Sequence, residues 1–156
     1  MTVDSVANVV RPAPDFSWID AARKTQSVKK FRGQPMVLLI APSPQVWKFR
    51  SQVGQIQKAY ERLGSAQAIF IAAFTQDETT RIKTNIPFVR ALNGPSVAAA
   101  YMANLGDATN TTTAIAVIGR DGNLDYIGTK VLSGQRILDI IGNSYVSQEK
   151  IRSGGD

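Results

Sequence analysis

The residues with the most chemical promise follow Ser43. Serine is a good helix N-cap and Pro44 a good first helical residue, and Gln45, Trp47, Lys48 and Arg50 come next. A helix N-terminus presents unpaired N–H groups and the positive end of the dipole. With Lys48 or Arg50 beside it, such an end can hold a small anion or carboxylate; equally, it can be a serine-capped end with water on the remaining donors. Trp47 projects away from the apolar stripe of Val46, Phe49, Val53 and Ile56, so it is either an exposed anchor for a partner or a plug packed under a neighbouring loop. Trp18 reads as packing. Hydroxyls gather at Thr109 and at Thr111, Thr112 and Thr113, with Tyr101 and Asp107 near in sequence, yet no two of these stand at an acid–base spacing. Asp121-Gly122-Asn123-Leu124-Asp125 alternates carboxylates as a calcium loop does, but its glycine is misplaced and the closing Glu is missing. A hairpin turn is the better reading. Asn110-Thr111-Thr112 is a glycosylation acceptor only in a secreted eukaryotic chain.

Two zeros exclude more than these candidates include. The 156 residues contain no cysteine and no histidine. Disulfides, thiol nucleophiles, Cys/His zinc sites and His-based triads are excluded, and no cofactor or metal site is expected. With 18 Lys and Arg against 12 Asp and Glu, the net charge is +6. Such a surface can favour nucleic acid, an anionic membrane or an acidic partner. The one dense basic stretch, Arg23, Lys24, Lys29, Lys30 and Arg32, has Phe31 as its only aromatic, which argues against a nucleic-acid platform. No apolar run reaches the roughly 20 residues of a membrane span. Met1 to Val10 lacks the basic and apolar regions of a signal peptide; this leaves the location open, periplasmic if a signal has been trimmed and otherwise cytoplasmic.

The length suits one domain, expected over residues 12–146 between an arm (1–11) and a tail (147–156). Phe16 to Ile19 and Ser27 to Phe31 read as a hairpin across the basic turn. Met36 to Ala41 and Ala68 to Phe74 are wholly apolar, as in strands buried on both faces. Between them, apolar residues at spacings of three and four predict one helix of about five turns from Ser43 to Gly64. Ile86 to Val89 reads as an edge strand, and Asn93 to Ser96 opens a helix reaching Leu105. Thr113 to Ile118 is a third apolar strand, Asp121-Gly122 turns it into Leu124 to Ile127, and Ser133 caps a last helix reaching Tyr145.

Several motifs in this order resemble the thioredoxin-like superfamily, in the branch of peroxiredoxins and periplasmic thiol-disulfide oxidoreductases. Ala13-Pro14-Asp15-Phe16 is similar to that family's opening. Phe31-Arg32-Gly33-Gln34-Pro35 leading into Met36 to Ile40 is similar to its entry to the first central strand. Val97 to Tyr101, and Ile118-Gly119-Arg120-Asp121-Gly122-Asn123-Leu124 with Gly128 after it, match its later helix and hairpin. The resemblance implies a three-layer α/β/α sandwich with a mixed central sheet and an N-terminal β-hairpin. It also implies a redox site, and there the match fails. The Cys-x-x-Cys window falls on Pro44-Gln45-Val46-Trp47, with Lys48 in the following basic position. The family's cis-proline has no counterpart in Asn110-Thr111-Thr112-Thr113, so a trans peptide is expected.

A thiolate is the nucleophile of that chemistry, and this chain has none. The expected function is therefore binding without redox catalysis, of a protein or peptide, in a vestigial groove lined by Ser43, Pro44, Gln45, Trp47, Lys48, Thr111 and Thr112. A cysteine-independent enzyme or small-anion carrier using the helix end at Ser43 is the alternative, and binding of nucleic acid or an anionic surface at the basic turn is a third.

Overall fold

The computed structural model describes residues 11–76, 79–106 and 111–143. A hairpin of β1 (Ser17–Ile19) and β2 (Thr25–Ser27) precedes β3 (Met36–Ala41), α1 (Trp47–Lys58), α2 (Tyr60–Ser65) and β4 (Ile69–Phe74). Then follow β5 (Val89–Arg90), α3 (Gly94–Met102) with a 3-10 turn at Ala103–Leu105, β6 (Ala114–Ile118), β7 (Leu124–Gly128) and α4 (Gly134–Gly142). The main sheet runs β5-β4-β3-β6-β7. β4 lies parallel to β3, and β6 antiparallel to it, with Leu38 opposite both Ile71 and Ala116. The mixed sheet and the separate hairpin are those expected.

Two-residue periodicity divides the core. Val37, Leu39 and Ala41 face a layer built by Phe49, Val53 and Ile56 of α1, Leu63 of α2 and Ile137 of α4. Met36, Leu38 and Ile40 face Trp18, Val28, Val97 and Tyr101. Successive strand residues point to opposite faces, so an unbroken apolar run serves both layers. On the second face, Phe16 stands 5.7 Å from Trp18 and 5.8 Å from Tyr101, centroid to centroid. Tyr101 donates from Oη to the carbonyl of Pro14 at 2.6 Å, fastening the chain's N-terminal segment to α3. Burial, with the charge of Asp15, pushes the Tyr101 hydroxyl well above its ordinary pKa.

Several boundaries differ from the sequence reading, for local reasons. The hairpin partner is Thr25–Ser27 rather than 27–31, because the Asp20 carboxylate accepts from Ala22 and Lys24 N–H groups, both at 2.9 Å, and sets a short turn. Phe31 N–H then bonds to Ser27 O at 2.9 Å, turning Val28 to Phe31 away from the strand. The edge strand is Val89–Arg90 rather than 86–89, since Thr84 Oγ1 accepts from Ile86 N–H at 3.2 Å and turns the chain there. The expected long helix is two helices, broken at Ala59 (φ −115°, ψ 16°). The break sits where α4 crosses: a Cβ on Gly134 would lie 2.3 Å from the Ala59 Cβ, so backbone rather than side chain fills the contact. Ser133 caps α4 as expected, accepting from Arg136 N–H at 3.1 Å; Tyr145 lies outside the described residues.

Candidate functional site

Ser43 does not cap the first long helix. Its Oγ accepts from Gln45 N–H at 3.2 Å, a local turn that competes with capping. The helix starts three residues later than expected, at Trp47, with Val46 in the cap position and no side chain bonded to its first N–H groups. Pro44 is therefore in the preceding turn rather than at the first helical position. The α1 N-terminus carries no acidic residue in its first turn. It carries Lys48 and Arg50 instead, against the usual preference for negative charge at the positive end of the dipole.

The sequence-derived site residues split between two surfaces. Lys48 reaches back toward the sheet, its Nζ donating to Thr129 O at 3.3 Å. Beneath it, Phe49, Gln52, Thr113 and Lys130 border a crevice of about 20 Å³, room for about one water. This is where α1 meets the strand entry at Thr113, and it is too small for a substrate. Thr111 is partly buried, its Oγ1 donating to Thr113 O at 3.4 Å, and Thr112 is exposed. Asn110, Thr109 and Asp107 lie outside the described residues. All peptide bonds among the described residues are trans.

Trp47 lines neither that crevice nor the cleft under Arg50. It is 66% exposed, so the ring is not packed away as a plug would be. Trp18, at 2% exposure, is packing as expected. From Trp47 the wheel of α1 turns about 60° to Arg50, and Arg50 stands over a cleft of about 460 Å³. Pro44 and Gln45 close one end of it, Phe49 and Val53 form its floor, and Thr80 to Lys83 make the opposite wall. The cleft continues along the helix past Gly54 to Gln57 and Thr84. Both ends of the wall are tied down. Arg90 donates to Thr80 O while its guanidinium sits 4.8 Å from the centroid of Phe74. At the other end, Thr84 Oγ1 donates to Gln57 Oε1 at 3.2 Å. Sequence reasoning missed this wall; its signal was the alternation Arg81-Ile82-Lys83, cation, apolar, cation.

The other candidates are spent on structure. Two carboxylates hold the basic turn: Asp20, and Asp15, whose Oδ1 accepts from Lys29 N–H at 2.8 Å. Hydrogen bonding, first from the Gln26 side chain, draws the Asp20 carboxyl below its ordinary pKa. The Arg32 guanidinium lies against Gly122 and donates to Val28 O. Asp121-Gly122-Asn123 is a hairpin turn, with Asp121 Oδ1 accepting from Asn123 N–H at 3.0 Å. No group of three or more potential metal-ligating side chains occurs among the described residues. Nor is any helix among them long and apolar enough to cross a membrane.

No family model matches the chain, and no curated protein matches it. Solved structures do. The pneumococcal exposed lipoprotein thioredoxin of Streptococcus pneumoniae superposes with a TM-score of 0.58 at 14% identity, over 84% of this chain and 100% of that one. The 2-Cys peroxiredoxin of Plasmodium vivax gives 0.60 at 15% identity, over 89% and 96%. A Chlorobium tepidum protein described as thiol:disulfide interchange protein DsbE gives 0.62 at 14%, over 85% and 97%. At such identities the likeness is one of fold, and the fold is that of thioredoxin.

Proposed function

We propose that this thioredoxin-fold domain works by binding a protein or peptide on the surface beside its former active site, without redox chemistry. The carrying observation is Trp47. It occupies the first position of α1, in the window where the resemblance looks for Cys-x-x-Cys, and 66% of it faces solvent. A large aromatic left in water has apolar area to gain from a partner. The absence of cysteine supports the redox-inactive half of this reading: no thiolate can attack a disulfide or a peroxide. The small crevice under Lys48 supports surface binding over a substrate pocket at the same place.

The test is affinity capture with wild type and Trp47→Ala as paired baits, each first shown to be folded. The expected result is a protein retained by the wild type and lost from the variant. Identical captures from both would refute the reading.

A further inference from the structure

We infer that the partner of this surface is an acidic segment in extended conformation, carrying an apolar side chain between its carboxylates. It would lie in the cleft between α1 and residues 80–85. The inference rests on the binding reading above and adds the chemistry of the partner.

The floor of the cleft is apolar and its rim is cationic. Phe49 and Val53 line the bottom, with Ile82 half-buried on the facing wall, while Arg50, Arg81 and Lys83 are exposed around it. None of these three cations has an ion-pair partner among the described residues, and no carboxylate of the described residues borders the cleft. The uncapped α1 N-terminus adds its dipole to the same field. Arg50 in the first turn of α1 opposes that dipole, a local arrangement that costs stability until an anion neutralises it. Departures of this kind collect at functional sites.

Shape selects the partner's form. From Phe49 to Gln57 the helix offers about 12 Å of wall, the span of roughly four extended residues. Neighbouring side chains of an extended strand point to opposite sides, so one apolar side chain can enter the floor while the flanking carboxylates reach the rim. The wall is fixed at both ends by the Arg90–Thr80 and Thr84–Gln57 contacts, so the groove exists before the partner arrives, and little ordering has to accompany binding.

The probe is a fluorescently labelled ten-residue peptide of Glu and Asp with Leu and Phe at its centre, beside a twin carrying Gln at every acidic position. Anisotropy titrations use the full chain and two variants, Arg50→Glu/Arg81→Glu and Trp47→Ala. We expect the acidic peptide to bind at least tenfold more tightly than its twin. Binding should weaken severalfold between about 50 and 300 mM NaCl, because the Debye length is already down to about 10 Å at 0.1 M. The double reversal should lower it at least tenfold with a melting temperature no lower than that of the wild type, since Arg50→Glu puts the favourable sign of charge at the α1 N-terminus. Equal binding of both peptides, lost in Trp47→Ala, would overturn the acidic preference and leave the binding reading standing. Acidic binding that is lost on charge reversal but indifferent to Trp47→Ala would uphold the cleft and remove Trp47 from the site. No binding of either peptide would overturn the inference.

Discussion

Gln52 of α1 and Leu132, just ahead of α4, exchange two hydrogen bonds. Gln52 Nε2 donates to Leu132 O and Leu132 N–H donates to Gln52 Oε1, each at 2.8 Å. A side-chain amide thus pairs with a backbone peptide as one strand pairs with another, in a buried setting. Truncating Gln52 would leave the donor and the acceptor of Leu132 without partners, at about 1–3 kcal/mol each. Gln52→Leu should lower unfolding stability by about 3 kcal/mol in urea titration; a loss below about 0.5 kcal/mol would mean that water replaces the amide.

Trp47→Ala should behave in the opposite way. The ring is exposed, and exposed positions change stability by about 0.5 kcal/mol or less. The same substitution should weaken partner binding by something near 2 kcal/mol, the scale of an interface anchor. A destabilisation of several kcal/mol in denaturant would place the ring in the core and contradict both statements.

Asp125 contributes a pH dependence opposite in sign to that of Asp20, whose carboxyl is drawn down. Its carboxyl is pushed up to about 6, first by burial and then by the charge of Asp121, and its Oδ2 has no hydrogen-bond partner. The folded state therefore binds the proton more tightly than the unfolded chain, whose group titrates near 3.8. Stability falls as pH rises between those two values and levels off above the higher one. Asp125→Asn should flatten that decline, raising stability at neutral pH and leaving it unchanged below the lower value. Urea titrations on either side of the window read the difference directly.

Gly94 opens α3 where the helix meets the end of β4. A Cβ there would lie 2.0 Å from the carbonyl oxygen of Phe74, and backbone cannot swing aside as a side chain can. Gly94→Ala should cost about 3 kcal/mol or more, the upper range for overpacking. A melting temperature within a degree or so of wild type would show that α3 can slide.

Thiol chemistry should be absent in solution. Insulin reduction and thiol-dependent peroxide consumption are expected at buffer level. Turnover that co-purifies with the protein through several columns would contradict this.

The framework was legible because its signals are physical and local. The apolar runs at Met36 and Ala68 contain no polar residue and so announce central strands, and Asp121-Gly122 announces its turn. The start of α1 was not legible. Ser43 satisfies every compositional rule for a cap, and only the fold shows its oxygen engaged by Gln45 N–H. The break at Ala59 was hidden for a different reason: it lies against Gly134, far along the chain. The basic wall at Arg81 and Lys83 gains meaning only through Arg50, which no periodicity connects to it. Contacts distant in sequence decide the last two points, and one sequence carries no direct sign of them.

β3 pairs with β4 on one side and β6 on the other, and the ribosome delivers those partners at different times. β4 emerges soon after β3. β6 follows only after β5 and α3 have been made, so a growing chain holds Met36–Ala41 for a long interval with one edge unpaired. Six apolar residues with an open edge invite pairing between chains. The late arrival of β6 also makes its docking a non-local step that slows folding. Expression at low temperature, or with chaperones that shield exposed strands, should raise the soluble yield by protecting the chain through that interval.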